Sequence, residues 1–323
     1  MTVTSTAQAA PPSGAEPDGP RRRRPRISKR SVPYLLLAPA LFFELLVHIV
    51  PMLGGLWMSF LRLNQFFLRE WMSAPFTGLD NYRFALDFDG AAGVELLQSF
   101  GVTAAFSIIT VGVSWVLGLA AALFLQRSFP GRTLLRGLFL VPYALPIYTS
   151  VMIWKFMLDR SDGMVNATLS DLGLGGERFW LLGNNAFLSL TITAVWRLWP
   201  FAFLALMAGL QSIPTDVYDA AAVDGAGLWQ QIRTITVPML RPVSQVLILV
   251  LFLWTFNDFN VPYLLFDQAV PSSANLISIH IYQNSFLTWN FGLGSAMSTL
   301  LLLFLLVITA GYLMLTSRRS RNA

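Results

Sequence analysis

Six stretches of this chain are long and apolar enough to cross a lipid bilayer, and no other feature restricts its fold as much. A helix needs about 20 predominantly apolar residues to span the hydrocarbon. Residues 33–61, 100–125, 134–157, 186–210, 243–266 and 291–315 each reach that length. Inside lipid every backbone N–H and C=O must find its partner within the protein, which makes such spans helices. The expectation is an all-α membrane protein of six transmembrane helices. Composition agrees. Of 323 residues, 55% are hydrophobic and only 12% charged, with a mean hydropathy of +0.58. A soluble domain clothes its surface in charge, and this chain has too little for that.

The 22 Lys and Arg residues are unevenly placed. Arg21 to Arg24, Arg26, Lys29 and Arg30 form a basic run just before the first span. Such a run fits nucleic-acid or anionic-lipid binding, but abutting a span it reads first as a topology signal. With the N-terminus inside, fifteen of the 22 cationic residues fall in the tail, the alternate loops and the C-terminal end. Both termini are therefore expected in the cytoplasm, and nucleic acid is not an expected partner. Residues 1–30 hold little to bury and read as a disordered basic cytoplasmic tail. Residues 31–317 read as the transmembrane domain with a cytoplasmic loop at 211–242, and 318–323 as a basic cytoplasmic end. A signal peptide fits poorly, because the apolar run from Pro33 is too long and no small-residue cleavage site closes it.

Several chemistries lack their residues. The chain has no cysteine and two histidines far apart, His48 and His280. It therefore offers neither a thiolate site nor a histidine metal site. A phosphate-cradling loop needs Gly-Lys followed by Ser or Thr. The two lysines, Lys29 and Lys155, do not follow glycine. No metal or cofactor is expected on this chain, and an intramembrane enzyme is the least supported class.

Between the fourth and fifth spans runs DAAAVDGAGLWQQIRTITVPMLRP, Asp219 to Pro242. Thr215 reads as a helix cap, with Asp216 and Asp219 favourably placed in the first turn. Three alanines continue the helix with little bulk. Gly225 can take the positive φ that ends it. A second short helix is expected from Leu228 to Ile235, closed by Pro238 and Pro242. Ordinary loop punctuation explains this pattern; so does a small-faced helix made to dock in a partner's groove.

Polar residues within spans mark the second region of interest, because a charge there costs at least ~2.5–3.5 kcal/mol. Arg197 lies in AVWRLWPFAF beside Trp199, Pro200 and Phe201. It fits either a substrate contact or a guanidinium held by carbonyls freed at Pro200. Asn257, Asp258 and Asn260 follow Trp254 and Phe256. Amides and carboxylates bind hydroxyl groups and flat rings suit sugar C–H faces, whereas Asn also joins helices to one another. Glu44 and His48 share a face of the first span, as a proton relay or a local pair. Pro142 and Pro146 are expected to kink the third span. His280, in the loop LISIHIYQNSFLTWN, reads equally as an interfacial belt residue or as part of a surface for a binding protein.

The 219–242 segment resembles the EAA loop of ABC importer permeases. That loop runs Glu-Ala-Ala, two variable residues, Asp-Gly-Ala, then about nine residues to Ile-x-x-Pro and a further Pro. Asp219, Ala220, Ala221, Asp224, Gly225, Ala226, Ile235, Pro238 and Pro242 fall in its register, with Asp219 standing where the family usually has Glu. GLDNYRFAL, FLVPYALPIYTSVMIWKF, WPFAFLALMAGLQSIP and WTFNDFNVPYLL resemble the carbohydrate-import branch, in particular permease subunits of maltose and glycerol-3-phosphate type. The resemblance covers nearly all of residues 31–317. It implies the type I ABC importer permease fold in a bacterial plasma membrane. The loop would be a coupling helix seated on a separate ATPase that holds ATP and Mg. The remaining implied partners are a related second permease, two ATPase copies, an extracytoplasmic solute-binding protein and a sugar. Arg197, Trp199, Phe201, Phe256, Asn257, Asp258 and Asn260 are the implied substrate path. The rival class is an ion-driven secondary transporter coupled through Glu44, Arg197 and Asp258.

Overall fold

The computed structural model describes residues 32–175 and 177–321. The basic run at 21–30 lies outside them. The regular elements among the described residues are helical, with one isolated antiparallel bridge between Leu61 and Phe76. The chain divides into two compact units, one ending at Leu53 and one beginning at Gly54.

Helix α1, Pro33–Met58, is the first span. It widens into a π turn over Leu45–Ile49, where the Val50 N–H bonds the Leu45 carbonyl five residues back. The reason is Pro51, which has no N–H and whose ring would clash with the carbonyl four residues before it. A wider turn removes that clash.

In the second unit, α2 (Ala91–Phe124) and α5 (Asn185–Gln211) are the most deeply packed spans. Buried positions on α2 recur about every four residues: Ser99, Thr103, Ser107, Thr110, Ser114, Gly118 and Ala122. A stripe of small residues lets two backbones approach closely, which is how membrane helices gain packing energy when lipid is as apolar as leucine. The approach is close at Gly118, where an added Cβ would stand 2.7 Å from the Phe203 N and 2.8 Å from the Ala202 carbonyl carbon. Phe203, Leu206, Leu210, Leu240, Leu247 and Leu251 complete this core. Thr103 Oγ1 donates to the Ser99 carbonyl and accepts the Ile277 N–H at 2.8 Å, fixing the loop before the last span.

Two of the six expected spans are not single helices. The third is α3 (Arg132–Ala144) and α4 (Ile147–Met157), bent by 91°. Pro146 supplies the break, and Leu145 before it is extended, as a residue preceding proline prefers. Pro142 sits inside α3.

The fifth expected span, 243–266, falls on α8 (Arg241–Phe256) and α9 (Asn260–Phe266), joined by residues 257–259. Before it, α6 (Thr215–Val223) and α7 (Leu228–Met239) form the loop, and α7 meets α8 at 69°. Pro238 does not close α7. A π turn at Ile232–Thr236 admits it, the same device that precedes Pro51. Thr215 is not a cap: the cap residue is Pro214, and no side chain bonds the first turn. Asp216 stays in that turn, and Asp219 falls one residue beyond it. The chain ends in the short α10 (Ile277–Tyr282) and the span α11 (Phe291–Arg321).

The loop after α4 is tied by Asp159, whose Oδ1 accepts the N–H groups of Ser161 at 2.9 Å and Asp162 at 3.1 Å. These bonds hold its carboxyl below the ordinary value of 3.8. A depressed carboxyl stabilises the fold above the unfolded-state pKa and loses that contribution as pH falls through the folded one. Asp159→Ala is therefore expected to melt below the parent at neutral pH. The gap should narrow as the pH of detergent-purified samples is taken below 3.8.

Candidate functional site

A cavity of about 850 Å³ opens where α4, α5, α8, α9 and α11 meet. Arg197 and Leu198 come from α5, Trp254 from the end of α8, Asn257 and Asp258 from the break after it, and Asn260 from the start of α9. Ile147, the first residue of α4, and Leu302, Leu306, Thr309 and Leu313 of α11 complete an otherwise apolar wall. The break in the fifth span explains why polar residues sit there. Asn257 Nδ2 donates to the Leu253 carbonyl at 3.0 Å, which closes α8. Asp258 Oδ1 accepts the Val261 N–H at 3.2 Å, which opens α9. The Asp258 carbonyl accepts the Ser278 hydroxyl at 2.7 Å. These side chains satisfy backbone groups freed by the break while still facing the cavity.

Arg197 is the cation of the cavity. Its Nε is buried without a hydrogen-bond partner. Among the described residues no carboxylate stands within salt-bridge reach of it. A buried guanidinium edge without a protein acceptor favours an acceptor brought from outside, such as a ligand hydroxyl or carboxylate.

Four of the seven expected path residues thus share one cavity: Arg197, Asn257, Asp258 and Asn260. The three aromatic ones do not line it. Phe256 is 1% exposed and packs between Phe100 and Phe304, because its side chain leaves α8 on the face away from Asn257. Trp199 is edge-on to Phe139 within the α2–α5–α8 core. Phe201 packs at a tilt against Trp254, with the ring centroids 5.0 Å apart. Trp254 is the aromatic face the cavity presents, and α11 is the wall that sequence reasoning missed. Nearby, Lys155 Nζ bonds Asp267 Oδ2 at 2.6 Å, tying α4 to the end of α9. His280 is 3% exposed with its Nε2 3.3 Å from Asn284 Nδ2, so it is a packed core histidine rather than a docking surface.

The second site is the loop. Gly225 takes φ +78°, the left-handed region. The Ala226 N–H returns to the Ala221 carbonyl at 2.9 Å, and the Gly225 N–H to that of Ala222 at 3.1 Å. Together these two bonds form a Schellman motif, which satisfies the last carbonyls of α6 and turns the chain sharply. The Asp-Gly-Ala sequence follows from that geometry. Gln231 Nε2 bonds the Ala226 carbonyl, and the Tyr218 hydroxyl lies 3.0 Å from Thr236 Oγ1, so α6 and α7 are braced against each other. Around this frame Asp219, Ala220, Asp224 and Gly225 are exposed, and Ala221 and Ala226 half-buried. Val223 is 89% exposed and Trp229 74%. Large apolar side chains so exposed beside small residues make a surface suited to a partner protein.

A profile of the family described as "binding-protein-dependent transport system inner membrane component" matches residues 114–321. The chain is 34% identical to the trehalose/maltose transport system permease protein MalF of Thermococcus litoralis, over 87% of this chain and 92% of that one. It is 31% identical to the trehalose transport system permease protein SugA of Mycobacterium tuberculosis, over 85% of each chain. Among solved structures, a chain of a bacterial ABC transporter involved in alginate import superposes with a TM-score of 0.76. At 22% identity, with 90% of this chain and 96% of that one covered, this likeness speaks for the fold. The family model covers more than half of the chain, and the relatives match along most of it: the chain belongs to the family of binding-protein-dependent transport system inner membrane components.

Proposed function

We propose that this chain is a permease subunit of an ATP-driven sugar importer and lines half of the translocation path. The observation that carries the reading is the braced α6–α7 loop. It offers small residues, two aspartates and exposed Val223 and Trp229 for docking, yet holds no catalytic group of its own. The names of the relatives, trehalose/maltose and trehalose permeases, support a sugar as cargo. They lend nothing to ion-gradient coupling. ATP and Mg belong to separate ATPase subunits on which loop 211–242 sits. An even count of six spans would put both termini on one side, and the cationic residues of the tail, alternate loops and C-terminal end assign that side, with this loop, to the cytoplasm of a bacterial plasma membrane. A second permease and an extracytoplasmic solute-binding protein complete the assembly.

Closure of the ATPases would push on α6. Because α6 is braced to α7, and α7 leads directly into α8, the push reaches Asn257 and Asp258 at the far end of α8. Motion of the loop is thereby tied to the cavity. In proteoliposomes, sugar uptake should require the ATPase, ATP and the binding protein together. Uptake by this chain on an ion gradient alone would overturn the reading.

Asn257→Ala removes both the closing bond of α8 and a polar group of the cavity. The lost hydrogen bond lies at an exposed residue and is worth about 0.5–1.5 kcal/mol, so uptake should fall roughly two- to tenfold while the complex still assembles and hydrolyses ATP. Undiminished uptake would show that Asn257 touches only its own helix.

A further inference from the structure

Where α11 begins, a second cavity of about 580 Å³ opens between the segment 62–84 and the turn Thr288–Asn290. It shares no lining residue with the cavity around Arg197. Asn290 precedes Leu302, the first α11 residue of that other cavity, by twelve residues, or roughly 18 Å of helix. Arg62, Gln65 and Asp80 stand around an indole, Trp289. The side chains of Arg62 and Gln65 have no partner among the described residues. Asn64 Oδ1 accepts the Phe66 N–H at 3.1 Å, and Asn290 Oδ1 the Leu293 N–H at 3.2 Å. Both Nδ2 groups are left as donors. Asn81 only braces the wall, giving its Nδ2 protons to the Ser59 and Leu61 carbonyls at 2.9 Å each.

Trp289 holds φ +56°, just past Thr288, the cap of the helical turn that ends at Leu287. Glycine or asparagine usually fills such a position, because a Cβ there is strained. The Thr288 N–H bonds the Gln283 carbonyl and the Asn290 N–H that of Asn284, both at 3.0 Å, which holds the turn. The indole is 45% exposed, with the Phe291 ring edge-on at 6.1 Å. Strain kept under so large a side chain points to a task for that side chain. A tryptophan of the membrane interface would account for the ring. It would not account for the free amide and guanidinium around the same space.

We propose that this cavity is an outer site for a neutral sugar, separate from the path around Arg197. A flat ring beside planar donors and acceptors matches the C–H face and the hydroxyls of a sugar. Arg62 and Asp80 balance in charge, which favours a neutral ligand over an anion. The proposal rests on the importer reading above, which sets this end of α11 outside the cell.

Each cavity carries its own tryptophan, Trp289 here and Trp254 in the other. The chain is labelled with 5-fluorotryptophan and assembled with its partner subunits in nanodiscs, without the binding protein. Trp289→Phe and Trp254→Phe identify the two fluorine resonances. Millimolar trehalose or maltose should shift the Trp289 resonance saturably. Gln65→Ala should weaken that response roughly two- to tenfold, the worth of a neutral hydrogen bond, and leave the Trp254 response alone. A Trp289 resonance that stays still, or that moves only with Trp254 and ignores Gln65→Ala, would overturn the proposal. Trp289→Gly should melt no lower than the parent, since it removes the strain. A clear fall in its thermal midpoint would show that the indole is kept for packing instead. ATP-dependent uptake by the parent complex tests the importer reading separately.

Discussion

Gly225→Val is expected to sever ATP hydrolysis from transport. Gly225 holds φ +78°, and nothing lies within 4 Å of the position a Cβ would take, so the whole cost is backbone strain. A left-handed conformation costs an L-residue roughly 1–2 kcal/mol, and a β-branched one more. Both bonds of the Schellman motif depend on that conformation. Losing them would unwind the end of α6 and re-aim Val223, Asp224 and Ala226, the surface proposed to meet the ATPase. The expected phenotype is uptake reduced by roughly tenfold or more, with ATPase activity either persisting uncoupled or lost because the subunit no longer co-purifies. Gly225→Asn should do far less harm, since asparagine tolerates the left-handed region. Full uptake by the valine variant, measured beside the asparagine one, would remove the loop from the coupling mechanism.

The loop was legible because its constraint is local. A glycine after an alanine helix needs positive φ wherever the chain goes next, and the structure places it there. Four spans that are single helices were legible for a similar reason, since length and apolarity are properties of the segment alone. Arg197, Asn257, Asp258 and Asn260 stood out because a polar residue inside hydrocarbon contrasts with everything around it.

Contrast also explains the misses. Leu302, Leu306 and Leu313 line the cavity but look like every other leucine of an apolar span, and which of them faces inward is decided by tertiary packing. Phe256 and Trp199 carry the opposite error. Phe256 precedes Asn257 and Trp199 follows Arg197 by two residues, but each step along a helix turns a side chain by about 100°, which sends Phe256 into the core and packs Trp199 against it. The fate of Pro238 was illegible because proline forbids an α-turn but leaves open whether the chain stops or widens. Ile232–Thr236 widens, and α7 continues to Met239.

Gly118→Leu is expected to be strongly disruptive to the packing of the membrane helices. Overpacking a core usually costs about 1–3 kcal/mol because neighbouring side chains shift to make room. At Gly118 the nearest atoms are the backbone N of Phe203 and the backbone carbonyl carbon of Ala202, with the Ala202 Cβ at 2.8 Å. Backbone inside a helix cannot move alone, so α2 and α5 would have to separate along their length. Separation would open the Phe203–Leu206–Leu210 core and displace Arg197, only five residues before Ala202 on the same helix. Even Gly118→Ala adds the offending Cβ and should lower the thermal midpoint of the purified protein, with leucine lowering it further or abolishing folded yield. Gly112→Leu supplies the control, because the same helix there has nothing within 4 Å of a new Cβ. Leucine gains about 1 kcal/mol of helix propensity over glycine, so that variant should be neutral or slightly stabilised. If Gly118→Leu and Gly112→Leu fold equally well, the close α2–α5 contact is not what holds the bundle together.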